Sequence, residues 1–442
     1  MAEGAASSPK KGWSTPLIRA VGLILFGCVL ISEAWWFWHP DEDSGPIRFG
    51  IIHALTGPMA ISEKPMVDAE LLAVAEINAH GGLLGRPLEA IVLDGASDPE
   101  TYARQAEKLI SQDKVAALIG CWTSACRKTV KPVIERHRGL MIYPMAYEGL
   151  EISPNIIYTG AAPNQQILPA MNWSFEHLGK RFFLVGSDYV WPHSVNAIIR
   201  DQMMALGGEI VGEAYMPYGG LEAGEVVRKI QDAKPDVIFS TLVGDSNAPF
   251  YHGLREAGLA AQKFPVVSFS ISDPELQKLP AADVAGHYAA WPYFQGIDRR
   301  ANTEFIQRFR ERYGEKRVLS DVMETAYFSV HLWARAVMQA GTTEVNAVND
   351  DLLGQSYNAP EGIVTVDSTT RHTWRSFNMG LIREDGRVQI VWSAEHPVRP
   401  VPYPRTRSVK EWDDFLKDLY RGWKNNWANT ATAEGRGVRE TH

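Results

Sequence analysis

The sequence predicts an α/β protein built on parallel sheets and divided into two similar lobes. Three observations carry this. Buried-strand runs alternate with helical runs in βαβα order from residue 46 onward, as in a parallel sheet covered on both faces. The alternation runs through two successive series. The 442-residue chain is also too long for one ordinary core, which favours two lobes plus additions.

The first series opens with PIRFGIIHAL (46–55), a buried strand. Val67, Leu71, Val74 and Ile77 recur near helical spacing, and Gly81-Gly82 stops that helix, so 63–80 is helical. LEAIVLDG (88–95) is a strand. Asp98 caps the next helix, Pro99 suits its first turn, and the helix runs to about Gln112. KVAALIGC (114–121) is a strand, SACRKTVKPVIERHR a helix, and LMIYP (140–144) a strand.

The second series has helices at 164–178, 194–206, 222–233 and 247–258. Its strands are RFFLVGS (181–187), EIVGEAYM, DVIFSTLVG (236–244), PVVSFS (265–270) and GHYAAWPYF (286–294). Helices follow near 301–314, 321–341 and 345–353. GIVTVD, SFNMGLIRE and RVQIVWS then form antiparallel strands, with Glu384-Asp385-Gly386 as a turn. Residues 407–424 make one amphipathic helix, and 429–442 read as a disordered tail.

The N-terminus is of another kind. Residues 1–16 are small, polar and basic, a cytoplasmic tail. Leu17 to Trp38 is long enough to span a bilayer, which takes roughly 20 residues. Trp35, Trp36 and Trp38 fit an interfacial aromatic belt. Lys10, Lys11 and Arg19 precede the span, and Asp41, Glu42 and Asp43 follow it. The positive-inside rule places the N-terminus in the cytoplasm and the large domain in the periplasm or cell exterior. A cleaved signal would need a small-x-small site, and Ser32-Glu33-Ala34 is a poor one. Lipid on Cys28 is disfavoured by Phe26 and by the apolar Val29-Leu30-Ile31 beyond it. An uncleaved anchor over 17–38 is therefore expected.

The formal charge is -8, and residues 1–40 carry three basic against two acidic residues, so the body is acidic. An acidic body argues against nucleic acid or anionic lipid as partner. Cys121 and Cys126 could bridge in an oxidising compartment. Their place at a strand end entering a helix favours two buried thiols instead. No CxxC pair or His/Cys cluster points to a metal, and no residue pattern calls for a cofactor. The phosphate-loop, GxGxxG, GxSxG and HExxH motifs are absent, and no catalytic nucleophile is evident, so an enzyme is not expected.

Ligands of parallel α/β sheets bind beyond the carboxyl ends of the strands. Here those ends are rich in aromatic and hydrogen-bonding residues: Trp122-Thr123-Ser124, Tyr143 to Glu148, Asp188-Tyr189-Val190-Trp191, Asp245-Ser246-Asn247, and Trp291 with Tyr293. Such a mixture suits a small uncharged polar ligand, with rings as flat walls and hydroxyls and carboxylates fixing orientation.

GIIHALTGPMAIS (50–62), GGLLGRPLEAIVLD (81–94), IGCWTSACRK (119–128) and YPMAYEG (143–149) resemble the urea and short-chain-amide receptors of the type I periplasmic solute-binding proteins. So do YTGAAPNQQ (158–166), GSDYVWP (186–192), FSTLVGDSNAPFY (239–251) and GHYAAWPYFQ (286–295). The resemblance covers about residues 47 to 403. It implies a hinged clamshell of two Rossmann-like lobes joined by three crossovers. Lobe 1 would hold 46–162 and 292–356, lobe 2 would hold 163–291 and 357–403, and a C-terminal helix and tail would fill 404–442.

The resemblance implies ligand contacts from Ser62, Trp122, Thr123, Ser124, Tyr143, Tyr147, Tyr189, Trp191, Asp245, Trp291 and Glu324. Asp245 and Glu324 would accept from amide N–H groups, and Ser62, Thr123 or Ser124 would donate to a carbonyl. Trp191 departs from the Tyr usual in such receptors, Ala146 departs too, and Arg371-His372-Thr373 replaces a usual His-His pair. The expected function is a receptor for urea or a short aliphatic amide, delivering it to an ABC permease. A membrane-anchored amide sensor and a branched-chain amino-acid receptor are the alternatives.

Overall fold

A computed structural model describes Met1 and residues 45–429. The expected tail (1–16), membrane anchor (17–38) and most of the C-terminal tail lie outside the described residues. Among the described residues no helix is long and apolar enough to cross a membrane.

The first lobe is built from β1 (Ile47–His53), α1 (Ala60–Ala79), β2 (Leu88–Asp94), α2 (Pro99–Ser111), β3 (Ala117–Gly120), α3 (Ser124–His137), β4 (Met141–Tyr143) and β5 (Ile156–Tyr158). Its sheet has the order β2-β1-β3-β4-β5 and is parallel throughout. Such strands are buried on both faces, which is why they read as apolar runs. Asp98 caps α2 as expected, accepting from the Thr101 amide at 2.8 Å.

The second lobe follows with α4 (Ile167–His177), β6 (Arg181–Ser187), α5 (Val190–Leu206), β7 (Glu209–Met216), α6 (Gly224–Ala233), β8 (Val237–Thr241), α7 (Asn247–Glu256), β9 (Val266–Ser268), α8 (Asp273–Leu276), α9 (Ala281–Val284) and β10 (Tyr288–Trp291). The chain then returns to the first lobe with α10 (Arg300–Tyr313), α11 (Asp321–Ala340), α12 (Val345–Leu352), β11 (Ser356–Ala359), β12 (Gly362–Val366) and β13 (Thr373–Trp374). It ends in the second lobe with β14 (Asn378–Ile382), β15 (Val388–Ser393) and α13 (Val409–Gly422), which packs on α5. The second sheet has the order β15-β14-β10-β9-β8-β6-β7, parallel except for the antiparallel β14 and β15.

Two features differ from the sequence expectation. Strands β5, β11 and β13 were not anticipated, being too short to show a period. Residues 357–374, expected in lobe 2, instead form the small sheet β11-β12-β13 beside α11, and His372 bridges to Tyr158 of the first sheet.

The chain crosses between the lobes three times, and one side chain ties the crossings. Arg375 is fully buried. Its Nη1 donates to the Thr159 carbonyl at 2.8 Å, on the first crossing. Its Nη2 donates to Asp321 at 2.9 Å, whose carboxylate also accepts from the Tyr293 amide on the second. Arg375 itself stands on the third, and its Nε donates to Glu361 at 2.8 Å. Gln165 adds bonds to the Thr373 and Val398 carbonyls at 2.9 and 2.7 Å.

Removing the guanidinium strands three buried carboxylates. Arg375→Met should therefore cost roughly 3–5 kcal/mol in denaturant melts. The network also predicts a pH dependence. Burial raises the Asp321 pKa, Arg375 pulls it down and Glu361 pushes it up, leaving it at about 7. The unfolded value is about 3.9. The folded state is thus favoured by the bound proton at low pH, and this contribution is lost as pH rises through about 7. Asp321→Asn should flatten the stability difference between melts at pH 5 and pH 8.

Candidate functional site

The centre of the cleft is set by the turn out of β3. Gly120 has φ +138°, and a Cβ there would stand 1.9 Å from the Ile52 carbonyl oxygen, so only glycine fits. The chain then doubles into α3 tightly enough to place Cys121 and Cys126 with Cα atoms 6.5 Å apart, and they form a disulfide. This corrects the expectation of two free thiols. The bridge encloses Trp122, Thr123 and Ser124.

A small cavity of about 10 Å³ lies between the lobes. That is room for about one water molecule. The first lobe walls it with Trp122, Ser124, Met145 and Ala146; the second with Tyr189, Trp191, Phe269, Ser270 and Trp291. No charged side chain is among these. The Trp291 indole donates to the Ile271 carbonyl at 2.8 Å. The Trp191 indole N–H is buried and has no hydrogen-bond partner among the described residues.

Charge lies one layer below. Ser124 donates to Glu148 and accepts from Arg127 Nη1 at 3.0 Å. Arg127, fully buried, donates to Glu148 at 2.9 Å and Glu151 at 3.2 Å. Its guanidinium stands 4.3 Å from the Tyr147 ring centre and 4.8 Å from that of Tyr143. Burial disfavours the Glu151 carboxylate, but Arg127 and Lys128 outweigh it and hold its pKa at about 2. His372 donates from Nδ1 to the Thr370 carbonyl, which leaves Nε2 to accept from the Tyr147 hydroxyl. Burial pushes its pKa down to about 4, so it is neutral.

Of the residues expected from the sequence, Trp122, Ser124, Tyr189, Trp191 and Trp291 meet around the cavity. The others go elsewhere. Tyr143 supports the wall from below, its hydroxyl donating to the Trp122 carbonyl at 2.7 Å. Tyr147 is in the stack with Tyr158 and His372. The Thr123 hydroxyl caps α3, accepting from the Cys126 amide at 3.1 Å, and the residue faces a larger outer chamber. Ser62 donates across the lobes to Glu275 at 2.9 Å.

Asp245 sits on a 3-10 turn, exposed and outside the cavity. Glu324 is in the crossing network, accepting from the Glu361 amide at 3.1 Å. The carboxylates of Asp321, Glu324 and Glu361 offer oxygens within 4.8 Å of one another, an arrangement that could hold a metal, but Arg375 donates to all three.

Met145, Ala146, Phe269 and Ser270 were not anticipated as walls. The signal for the first two lay in the sequence: they stand between Tyr143 and Tyr147, at a strand end already marked as unusual.

The two lobes face each other across this small chamber. Residues 47–409 match the periplasmic binding protein domain family, and the chain belongs to it. A 118-residue stretch is 32% identical to a protein named limonene hydroxylase from Geobacillus stearothermophilus, covering 27% of this chain and 22% of that protein. Over 201 residues it is 26% identical to the Leu/Ile/Val-binding protein BraC3 of Rhizobium johnstonii, covering 44% of this chain and 53% of the relative. The chain thus spans between a fifth and about half of these relatives' lengths. The solute-binding protein of an ABC transporter from Rhodopseudomonas palustris HaA2, solved with p-hydroxybenzoic acid, superposes with a TM-score of 0.73 at 21% identity. That match covers 80% of this chain and 98% of the other, and establishes the fold.

The disulfide closes a short loop, for which chain entropy gives roughly 2 kcal/mol. Cys126→Ser should lose about that much stability by thermal melting under non-reducing conditions. Thiol titration of the unreduced, denatured wild-type chain should find only Cys28.

Proposed function

We propose that this chain is the extracytoplasmic receptor of an ABC-type importer and that its ligand is urea or a short-chain aliphatic amide. The cavity lining carries the reading. Neither a carboxylate nor an ammonium would find a counter-ion there, and burying an unpaired charge is costly. The ligand is therefore neutral. The cavity as it stands has room for about one water molecule, so the lobes must part slightly to seat even urea. Urea and short amides are planar and neutral, with one carbonyl acceptor and N–H donors. On this reading the unpartnered Trp191 N–H donates to the carbonyl, and the rings of Trp122, Tyr189 and Trp291 supply flat walls.

The names of the Leu/Ile/Val-binding relatives favour a second reading, an amino-acid receptor. Against it, an amino acid brings two charges to a cavity without a charged wall. The Cys121–Cys126 bridge supports an oxidising, extracytoplasmic location. We read residues 17–38 as the tether to the membrane, with a permease as partner; release by alkaline carbonate washing would count against the tether. The same clamshell would serve an anchored sensor.

A calorimetric and thermal-shift panel of urea, acetamide, formamide and thiourea, with leucine and 4-hydroxybenzoate alongside, separates the readings. At about 100 times Kd a cognate amide should add about 2.7 kcal/mol. Binding of leucine or 4-hydroxybenzoate with no response to any amide would overturn the proposal. Trp191→Phe, which removes the free donor together with part of the ring wall, should weaken binding about tenfold or more in a chain that still folds cooperatively. Asp245→Ala should leave affinity within about twofold, as for other exposed substitutions.

A further inference from the structure

The family match ends at residue 409, but the described chain continues to 429 and returns to the cleft. Helix α13 is fixed to the second lobe: Trp412 is fully buried, and just before the helix Arg407 forks onto Asp201 at 2.7 and 2.8 Å. After α13 the chain turns back along the start of α5. The Val190 amide donates to the Trp427 carbonyl at 2.9 Å, and the Asn429 amide donates to the Asp188 carbonyl at 3.0 Å. The Asn429 side chain adds a bond to the Asp188 carboxylate at 2.8 Å. Residues 427–429 are thus laid as a short strand against Asp188–Val190, the segment that carries Tyr189.

From this anchorage Trp427 reaches the other lobe. Its ring lies 5.0 Å from the Lys128 ammonium, on α3 of the first lobe, and is braced by Tyr420 with ring centres 4.5 Å apart. Beneath it is the outer chamber, of about 520 Å³. Thr123 and Lys128 line it from the first lobe, Tyr189 and Tyr218 from the second, and Tyr420 and Trp427 from the C-terminal segment. Tyr189 also walls the inner cavity, so the chamber lies directly outside it.

We propose that the C-terminal segment Trp423–Asn429 is a clasp over the ligand's entrance, fixed to the second lobe by its backbone and held to the first by Trp427 on Lys128. The outer chamber is then the vestibule of the binding cavity, and Trp427 governs how fast a small neutral solute enters and leaves. The clasp itself does not depend on which solute binds; its effect on rates rests on the amide reading.

Two variants of the full chain test it: Trp427→Ala, which keeps the backbone pairing, and a truncation after Gly422, which removes it. Hydrogen exchange read by mass spectrometry supplies a measure that needs no ligand. Trp427→Ala should speed exchange in 121–129 of the first lobe on the order of fivefold while 186–192 of the second stays protected. The truncation should deprotect both. Unchanged exchange over 121–129 in folded Trp427→Ala protein overturns the clasp, whether or not the truncated chain folds. Stopped-flow fluorescence with acetamide should show association and dissociation rates rising together in Trp427→Ala. Acetamide binding with wild-type rates would overturn the gate. If exchange changes as expected but no amide binds, the clasp stands and the amide reading fails.

Discussion

The architecture depends on one buried guanidinium. Three separate segments must run side by side between the lobes, and each brings polar backbone groups into a region with little access to water. Arg375 meets this with five donors in a fixed fork, spent on a carbonyl of the first crossing, the carboxylate that anchors the second, and Glu361 beside its own. A lysine could not span the same partners. The arrangement carries more negative than positive charge, since Asp321, Glu324 and Glu361 surround a single cation. Burial first, and then the neighbouring carboxylates, raises the Asp321 and Glu324 pKa values, so protons relieve the surplus.

A similar logic separates charge from ligand at the cleft. Arg127, Glu148 and Glu151 satisfy one another one layer beneath the cavity, with Tyr143 and Tyr147 on the guanidinium face. What reaches the cavity is the end of that network, the Ser124 hydroxyl, already oriented from both sides. The disulfide fixes the backbone of the same loop. The charges thus pre-orient the wall without entering it.

Much of this was legible in the sequence, because burial on both faces writes parallel strands as apolar runs and caps mark helix starts. Cleft aromatics at successive strand ends were legible for the same reason: the fold rule names the end of the sheet, and Trp122, Tyr189, Trp191 and Trp291 stand there. Side-chain direction was not. Asp245 follows β8 as expected, but its 3-10 turn packs Gly244 against Pro58 and leaves the carboxylate in solvent. Glu324 lies in a helix start, and only the third crossing, far away in sequence, brings Arg375 to it. The disulfide was missed because a spacing of five says nothing of how sharply the chain turns at Gly120. Residues 357–374 were assigned to the wrong lobe because three short antiparallel strands carry no mark of which sheet they lie beside.

Ser62, expected from the resemblance to touch ligand, instead spans the two lobes. Its hydroxyl donates to Glu275 across the lobes. Buried Glu275 accepts from the Ser62 hydroxyl and from the hydroxyl and amide of Ser272, and burial raises its pKa. Closing the lobes therefore gains a hydrogen bond but desolvates an acid with no cation beside it, and the two effects oppose each other. On the proposed reading, this one bond does not by itself hold the lobes shut. A ligand that supplies even a few kcal/mol across the cavity can then decide the population, because only its differential affinity for the closed form counts. On the proposed reading, ligand adds to these interlobe contacts, while the crossings tied by Arg375 hold the two lobes together.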